Sequence, residues 1–353
     1  MGLKVKQLNK IEYKFKSLSI TVTVCIASLL TVLSLYPVFL SSAFASESDY
    51  QTLRKMRVPN NNQGTPARVE LGKALFFDPR LSDNNQMSCA TCHNPSFDWT
   101  DGLPVSIGRN SKKLTRSTPT LLNTGYLRKL FWDGRANSLE EQAVGPIKSA
   151  IEMNQNIEDL VRELQAIAGY QEMFEKAYPG EGISEATIGK ALASFERTIV
   201  SKFNSPFDRW LNGDQTAISA SAKNGFKLFD GKARCNVCHS GATFTDGGFH
   251  NIGLNNGDDI GRYEFVKVKA LKGAFKTPTL RNVANTAPYM HNGELATLEA
   301  VIDHYIDGWK SKPDLSPDIK PIDLTKQEKA DLIAFLETLS EQADPVTFPV
   351  LPK

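Results

Sequence analysis

The chain has 353 residues, a length typical of about two domains, and its 41% hydrophobic and 23% charged residues are ordinary for a globular protein. The first 45 residues hold five Lys and one Glu, so the remainder has 36 basic and 38 acidic residues and a net charge of −2. This balance argues against nucleic acid or an anionic membrane surface as a partner.

Residues 1–45 have the pattern of an export signal. Five Lys precede an apolar stretch at about 20–40, and Ala43-Phe44-Ala45 follows as a small-x-small cleavage site. The apolar stretch is also long enough to span a bilayer, so an uncleaved anchor is the alternative. In either case we predict that the rest of the chain functions in the periplasm. Residues 46–65 are polar and are predicted to form a flexible lead-in.

Two copies of Cys-x-x-Cys-His contain every cysteine that follows the export signal: Cys89, Cys92 and His93, then Cys235, Cys238 and His239. This is the attachment motif for c-type haem, because the two thiols bond the porphyrin vinyl groups and the adjacent imidazole becomes the proximal iron ligand. A shared zinc ion, a redox dithiol and structural disulfides are the alternatives. Zinc-binding pairs usually lie closer together, no thioredoxin-like pattern accompanies the motifs, and a chain of this length can bury a core without disulfides. We therefore predict two covalently bound haem c groups.

The predicted secondary structure is mainly helical. Residues 67–77 are expected to form a helix that leads to the first motif, and 94–120, rich in Gly, Ser, Pro and Lys, a loop over the haem. Apolar residues with helical spacing recur at 156–167, 184–200 and 298–309, with Ser184 as an N-cap. A capping box of Thr325 and Glu328 opens a last helix that extends to residue 339.

A weak internal duplication divides the chain. The segment 224–230 (NGFKLFD) echoes 71–78 (LGKALFFD), and each precedes a Cys-x-x-Cys-His. Polar residues cluster with Pro206 and Gly213 at 201–214, where we place the boundary. The predicted fold is mainly α, with two cytochrome c-like domains at 66–205 and 206–353.

Motifs between residues 67 and 339 resemble those of the bacterial di-haem cytochrome c peroxidases and the related MauG-type enzymes. They are 75–82 (LFFDPRLS), 131–135 (FWDGR), 141–143 (EQA), 152–153 (EM), 279–283 (TLRNV) and 286–293 (TAPYMHNG). The resemblance implies that the N-terminal haem reacts with hydrogen peroxide and that the C-terminal haem relays electrons.

The resemblance assigns three residues of the first domain to this reaction. Trp132 matches a tryptophan that carries electrons between the haems, although a Trp is more often only part of a core. Gln142 and Glu152 match the polar pair on the distal side of the peroxidatic haem, where a carboxylate can move a proton between the peroxide oxygens. The alternative for Glu152 is a solvated acid at a helix start.

The distal ligand position of the first haem differs from that of conventional members. They place a His sixteen residues after the proximal one, and Arg109 stands there in this chain. A guanidinium has no lone pair to offer iron. The five histidines of the chain leave the first domain with no second imidazole, and the thioether alternatives there are Met87 and Met153. We predict that the first haem is high-spin and open to peroxide when fully oxidised, with Arg109 at its distal side.

The sixth ligand of the second haem is a Met in conventional peroxidases and a Tyr in MauG-type enzymes. Tyr305 lies fourteen residues after His291, at the MauG-type position. It also falls on one apolar helix face with Leu298, Val301, Ile302 and Trp309. His304 is expected to point about 100° away, toward Asp303 and Lys310. Met290 or His304 as the ligand is the alternative; on the resemblance, His250 and His291 would form hydrogen bonds near the haem.

A calcium ion is also part of the family's pattern. Its backbone carbonyl ligands would correspond to Thr286 and Pro288. An Asn of that pattern is replaced by Ser117, and a hydroxyl is a poorer calcium ligand than an amide oxygen.

The implied partners are hydrogen peroxide and a second protein. That protein would be a small electron donor, a cytochrome c or a cupredoxin, or else a substrate whose own residues are oxidised. A non-enzymatic electron carrier or haem sensor is the other class. Gln142 and Glu152 argue against it, since a pure carrier needs no proton-transfer group beside an open iron. The sequence does not distinguish a monomer from a homodimer.

Overall fold

The computed structural model describes residues 47–307 and 314–353. Its α-helices are α1 (Glu47–Gln51), α2 (Pro66–Phe77), α3 (Cys89–Cys92), α4 (Leu139–Lys148), α5 (Ile157–Gln165), α6 (Ala168–Ala177), α7 (Glu185–Glu196), α8 (Pro206–Leu211), α9 (Ala220–Asp230), α10 (Leu298–Ile306) and α11 (Lys326–Glu337). Short 3-10 helices lie at Asn60–Asn62, Pro79–Leu81, Pro95–Phe97, Arg109–Ser111, Thr124–Tyr126, Cys235–Val237, Arg262–Glu264, Lys269–Leu271 and Val283–Asn285. The strands β1 (Phe249–His250) and β2 (Phe275–Lys276) pair antiparallel. The mainly α prediction is confirmed. We refer to 66–205 as the first half and to 206–340 as the second half.

Each half is built on a crossed pair of helices. In the first half α2 packs on α7, and in the second half α9 packs on α11. A Cβ at Gly72 would lie 1.9 Å from the carbonyl oxygen of Ala191, and a Cβ at Gly225 would lie 1.9 Å from that of Asp331. Glycine is needed at both crossings because any side chain would separate the helices. The echo noted in the sequence is therefore a repeated structural unit.

Each half also contains a corresponding turn. We call 130–136 the first junction turn and 289–295 the second junction turn, since each is closed by a bridge between its first and last residues. The turns meet at the contact of the two halves, where hydrogen bonds are exchanged. The Lys276 amide donates to the Trp132 carbonyl at 2.8 Å, and the Ser117 amide donates to the His291 carbonyl at 2.7 Å. Ser117 and Lys276 each precede Thr-Pro-Thr-Leu, so they occupy equivalent positions.

Predicted helix starts agree with the structure. Ser184 caps α7 by accepting from the Thr187 amide, and Thr325 opens α11 with a reciprocal capping box to Glu328. Helices α4, α6, α8 and α9 were not predicted, and α8 lies inside the proposed boundary region, where Ser205 caps it. The predicted helix 298–309 ends within the described residues at Ile306, and Trp309 lies outside them.

The terminal segments each pack on the more distant half. Tyr50 is buried in the second-half core, where its hydroxyl donates to Asp230 at 2.8 Å. At the other end, the ring of Phe348 lies 5.0 Å from that of Phe77, and the carbonyl of Lys353 accepts from the Gly169 amide. Asn62 is also fully buried. The prediction of a flexible lead-in at 46–65 is therefore wrong at Tyr50, which lies in the second-half core, and at Asn62, whose amide donates to Glu140 and to the Lys190 carbonyl.

The predicted export signal lies outside the described residues. Among those that are described, no helix has the length and apolarity needed to cross a membrane.

Candidate haem sites

The first Cys-x-x-Cys-His forms a short helix with a fixed imidazole. Ser88 and Thr91 close a capping box around α3, which places Cys89 and Cys92 on one turn. His93 follows, and its Nδ1 lies 3.0 Å from the Trp99 carbonyl oxygen. Because a carbonyl only accepts, Nδ1 carries the proton and Nε2 has the free lone pair that a metal needs. Burial lowers the pKa of His93, which favours the neutral form of the ligand.

The second motif repeats this arrangement. Cys235 and Cys238 flank a 3-10 turn, and Nδ1 of His239 lies 3.0 Å from the Phe244 carbonyl oxygen. Burial lowers the pKa of His239 in the same way. None of the four cysteines forms a disulfide. Each motif opens on its own cavity, so two thiols and one neutral imidazole face each space, the donor set that a c-type haem requires.

The first cavity has a volume of about 340 Å³ and brings together most of the residues predicted for the reaction. Glu152, Gln142 and Trp132 all line it with His93. Helix α4 supplies Gln142, and the tight turn that follows α4 supplies Glu152, whose amide donates to the Ser149 carbonyl at 3.0 Å. Glu152 is therefore part of the cavity wall rather than a solvated acid at a helix start.

Histidine and methionine are distributed as the sequence predicts. His93 is the only histidine among the described residues that line the first cavity, and Met87 and Met153 line it as well. Met153 is buried, with 4% of its surface exposed. Within the part of the chain that the structure describes, this cavity therefore has no second imidazole, whereas two thioethers border it.

Arg109 is placed differently from the prediction. It is absent from the described residues that line the first cavity, although Ser106 and Gly108 of the same loop are present. Its guanidinium Nε lies 2.5 Å from Asp83 Oδ2, and about a third of its side chain is exposed. The adjacent Gly108 packs where a Cβ would lie 1.9 Å from the Ile151 carbonyl oxygen, so the loop is held close at Gly108 while the Arg109 side chain points to Asp83. A direct catalytic role for Arg109 is not supported.

The second cavity has a volume of about 240 Å³ and contains both candidate sixth ligands. Tyr305 and Met290 line it together with His239. Burial raises the pKa of Tyr305, with the nearby Cys235 and Cys238 as smaller causes. The ring of His304 does not line this cavity, and its Nε2 lies 2.9 Å from the Ile252 carbonyl oxygen rather than being directed at the predicted partners. Lys310, one of those partners, lies outside the described residues.

His250 and His291 also line the second cavity, and each is held by other contacts. His250 Nε2 lies 2.9 Å from Asp246 Oδ2, a bond that raises the pKa of His250 to about 10. His291 stacks on Phe275 with ring centroids 3.5 Å apart, and burial lowers the pKa of His291 to about 4. Cys238, Asp246 and His250 lie close enough to share a metal ion, but Cys238 belongs to the haem motif. The three do not form a separate site once that thiol is bonded to haem.

Trp132 lies between the two cavities and lines both. Its Nε1 donates to the Ser117 carbonyl at 2.9 Å, and its ring centroid is 6.3 Å from that of His291. Thr286 and Pro288, the predicted carbonyl ligands of calcium, line the second cavity. Ser117 lines both cavities, and calcium at these residues stays a prediction.

Two buried ionisable residues of the cavities were not predicted from the sequence. Glu196, at the end of α7, lines the first cavity with 4% of its surface exposed, and its Oε2 has no hydrogen-bond partner. Burial raises the pKa of Glu196 to about 8. Lys276 lines both cavities. The repeated Thr-Pro-Thr-Leu is the sequence signal that could have identified Lys276. For Glu196 the signal is an acid at the end of a mostly apolar segment, ALASFE.

Comparison with known proteins agrees with this geometry. Residues 66–216 match the family model of the di-haem cytochrome c peroxidases, and residues 222–340 match that of cytochrome c. Methylamine utilization protein MauG of Methylorubrum extorquens is 48% identical over 322 residues, which cover 88% of this chain and 91% of that protein. Cytochrome-c peroxidase IdrP1 of Pseudomonas sp. (strain SCT) is 35% identical, with 88% of this chain and 91% of that protein covered.

Solved structures give the same result. A MauG-like protein associated with microbial copper homeostasis superposes with a TM-score of 0.76 at 35% identity, over 82% of this chain and 94% of that one. Both family models imply haem c, and the residues around each cavity fit it. The chain therefore belongs to the di-haem cytochrome c peroxidase and MauG family of oxidoreductases, with a cytochrome c-like haem unit in each half.

Proposed function

We propose that this protein is an exported di-haem peroxidase that reacts with hydrogen peroxide in the first cavity and receives electrons through the second. The observation that carries the proposal is the composition of the first cavity. Glu152 and Gln142 line it, and His93 is the one histidine there among the described residues. An electron carrier would need neither a carboxylate nor an amide beside an open coordination position.

Each of the main cavity residues has its own role in the proposed reaction. His93 and His239 would bind the two haem irons through Nε2, and the haems would supply the redox chemistry when bound. Glu152 would accept a proton from hydrogen peroxide and return it to the oxygen that leaves as water, while the Gln142 amide would orient the peroxide by hydrogen bonding. Trp132, which lines both cavities, is the route for electrons between the halves.

For the second haem we propose Tyr305 as the sixth ligand. It lines the cavity with His239, and burial disfavours the free phenolate, so an iron ion that stabilises the phenolate would offset that cost. Export to the periplasm follows from the pattern of residues 1–45.

The proposed tyrosine ligation and the 48% identity to a MauG protein favour a second candidate function. In it, the oxidising equivalents from peroxide are used on residues of a partner protein instead of being quenched by a small donor. Both functions share the first cavity and differ in the molecule that supplies the electrons.

Peroxide turnover with and without a reduced small cytochrome distinguishes the two. A peroxidase consumes peroxide in proportion to the cytochrome it oxidises. A MauG-like enzyme reacts with peroxide rapidly, keeps a long-lived oxidised spectrum and oxidises the cytochrome slowly. Failure of the oxidised protein to react with peroxide under both conditions would contradict both proposals.

The open first site has its own test. Electron paramagnetic resonance of the oxidised protein should contain one high-spin ferric signal from the first haem and one low-spin signal from the second. Two low-spin signals, with peroxide reactivity only after partial reduction, would mean that Met153 or Met87 occupies the distal position.

A further inference from the structure

The contact between the two halves carries one asymmetric charge. Ser117 and Lys276 occupy equivalent positions in the repeat, and each donates its backbone amide across the contact to the opposite junction turn. Both residues line both cavities. Ser117 is neutral and Lys276 is a cation, so the positive charge at this position comes from the second half alone.

Lys276 is buried without an anionic partner. Only 8% of its surface is exposed, and among the described residues no carboxylate oxygen lies within 4.0 Å of its ammonium nitrogen. Burial lowers the pKa of Lys276 to about 8, and the more distant Asp246 offsets this only in part. The Asp246 carboxylate already contacts the His250 ring and the Gly248 amide.

Other cations around the first cavity are compensated. Arg116 and Arg135 both pair with the buried Asp133, and Arg116 also pairs with Asp259. Their guanidinium groups therefore need no further anion. Lys276 differs because a buried ammonium without a counter-charge is costly, and such groups in folded proteins are normally paired.

The cofactor itself offers the missing anion. A c-type haem is bonded to its protein at the vinyl edge and carries two propionate carboxylates at another edge of the ring. The thiols that bond the vinyl groups line each cavity, and Lys276 lines both cavities beside Trp132. A lysine is the residue type that can contact a carboxylate in each of two adjoining spaces, because its ammonium carries three donors on a flexible stem.

We propose that Lys276 binds propionate carboxylates of both haems and so orients the propionate edge of each haem toward the Trp132 contact. This inference rests on the two haems that the family implies, not on the reaction with peroxide, and measurements without peroxide test it separately. A positive charge held beside both haems stabilises the reduced form of each. Removing it should therefore lower both reduction potentials together.

Spectroelectrochemical titration of the holoprotein tests this. In Lys276→Met, which keeps length and removes charge, both midpoint potentials should fall, whereas Lys276→Arg should keep both near the wild-type values. Lys272→Met is the matched control: Lys272 is an exposed lysine of the same segment, and neither potential should change. Infrared difference spectra recorded on reduction should also contain altered carboxylate bands in Lys276→Met and unaltered ones in the control.

Three results would overturn the proposal. The first is a shift of one potential alone, the second is no shift in Lys276→Met, and the third is an equal shift in the Arg and Met variants. If Lys276→Met does not yield a protein with two haems, Lys276→Gln is titrated instead. It keeps a polar end group, and the same criteria apply to it.

Discussion

In both halves a glycine-crossed helix pair leads into Cys-x-x-Cys-His, and in both the histidine Nδ1 lies 3.0 Å from a backbone carbonyl five or six residues further along the chain. The distal sides differ. Glu152 and Gln142 border the first cavity, whereas Tyr305 and Met290 border the second. The proximal side is made by residues close together in sequence, and its geometry is the same in both halves. The distal side is made by segments distant in sequence, and it is where the two haem units differ.

Replacing Tyr305, the proposed ligand of the second haem, should have the largest effect on the difference between the two haems. In Tyr305→Phe the sixth ligand is lost, so the low-spin signal of the second haem should disappear while the signals of the first haem stay unchanged. Absorption and electron paramagnetic resonance spectra of the oxidised protein measure this. The control is Met290→Leu, which should leave both haems unaltered. The reverse pattern would assign the ligand to Met290.

The next largest effect is expected at Glu152, a carboxylate that borders the first cavity and not the second. Glu152→Gln keeps the size of the side chain and removes the base. We expect the peroxide-reaction step to slow by on the order of 10²-fold, equivalent to about 2.7 kcal/mol of barrier. Stopped-flow mixing with peroxide measures the rate. The exposed Glu158, at the start of α5, gives the control Glu158→Gln. A wild-type rate in Glu152→Gln would remove the carboxylate from the mechanism.

Glu196 makes the stability of the first cavity depend on pH. Its pKa is raised to about 8 from an ordinary value of 4.5, so the folded protein keeps a proton that the unfolded chain has released. The stability from this group is complete below pH 4.5 and is lost as pH rises toward 8. Glu196→Gln does not titrate, and at pH 9 we expect its free energy of unfolding to exceed that of the wild type by about 2 kcal/mol.

Denaturant unfolding at pH 5 and pH 9 measures the difference, which should be much smaller at the lower pH. Glu172→Gln is the control, because Glu172 is an exposed acid of α6. A difference between Glu196→Gln and the wild type that is the same at both pH values would mean that the Glu196 carboxyl is not perturbed.

Trp132 lines both cavities, so its replacement should change electron transfer between the haems rather than the properties of one haem alone. Trp132→Phe removes the indole and its hydrogen bond to Ser117, and oxidation that needs both haems should slow about tenfold, or about 1.4 kcal/mol. Both haem spectra should stay nearly the same. Trp210→Phe is the matched control, a tryptophan that packs on Phe207 and Phe226 and lines neither cavity. If the two variants have equal rates, Trp132 is only a packing residue.

The smallest effect is expected at Arg109. Arg109→Ala removes a partly exposed pair with Asp83, which should leave the thermal unfolding midpoint nearly unchanged and the peroxide rate within about twofold of the wild type. Thermal unfolding and stopped-flow kinetics measure the two quantities. A loss of tenfold or more would show that the guanidinium reaches the distal side after all.

Local features of the sequence predicted the local features of the structure. The haem motifs, the caps at Ser184 and Thr325 and the inward face of α10 depend on residues within a few positions of one another. The direction of the Arg109 side chain depends instead on Asp83 and on how Gly108 packs against Ile151, contacts between segments that no local pattern contains. Lys276 and Glu196 were missed for a related reason, since only the assembled cavities make these charges unusual.

The segments before the first half and after the second half each pack on the more distant half, which affects how each half completes its core. Phe348 and the carbonyl of Lys353 contact Phe77 and Gly169 in the first half, although both residues follow the second half in the sequence. Conversely, Tyr50 is made before any of the second-half core that encloses it. Each half therefore completes its packing with a segment that lies beyond the other half in the sequence, so removing either segment should weaken the half on which it packs.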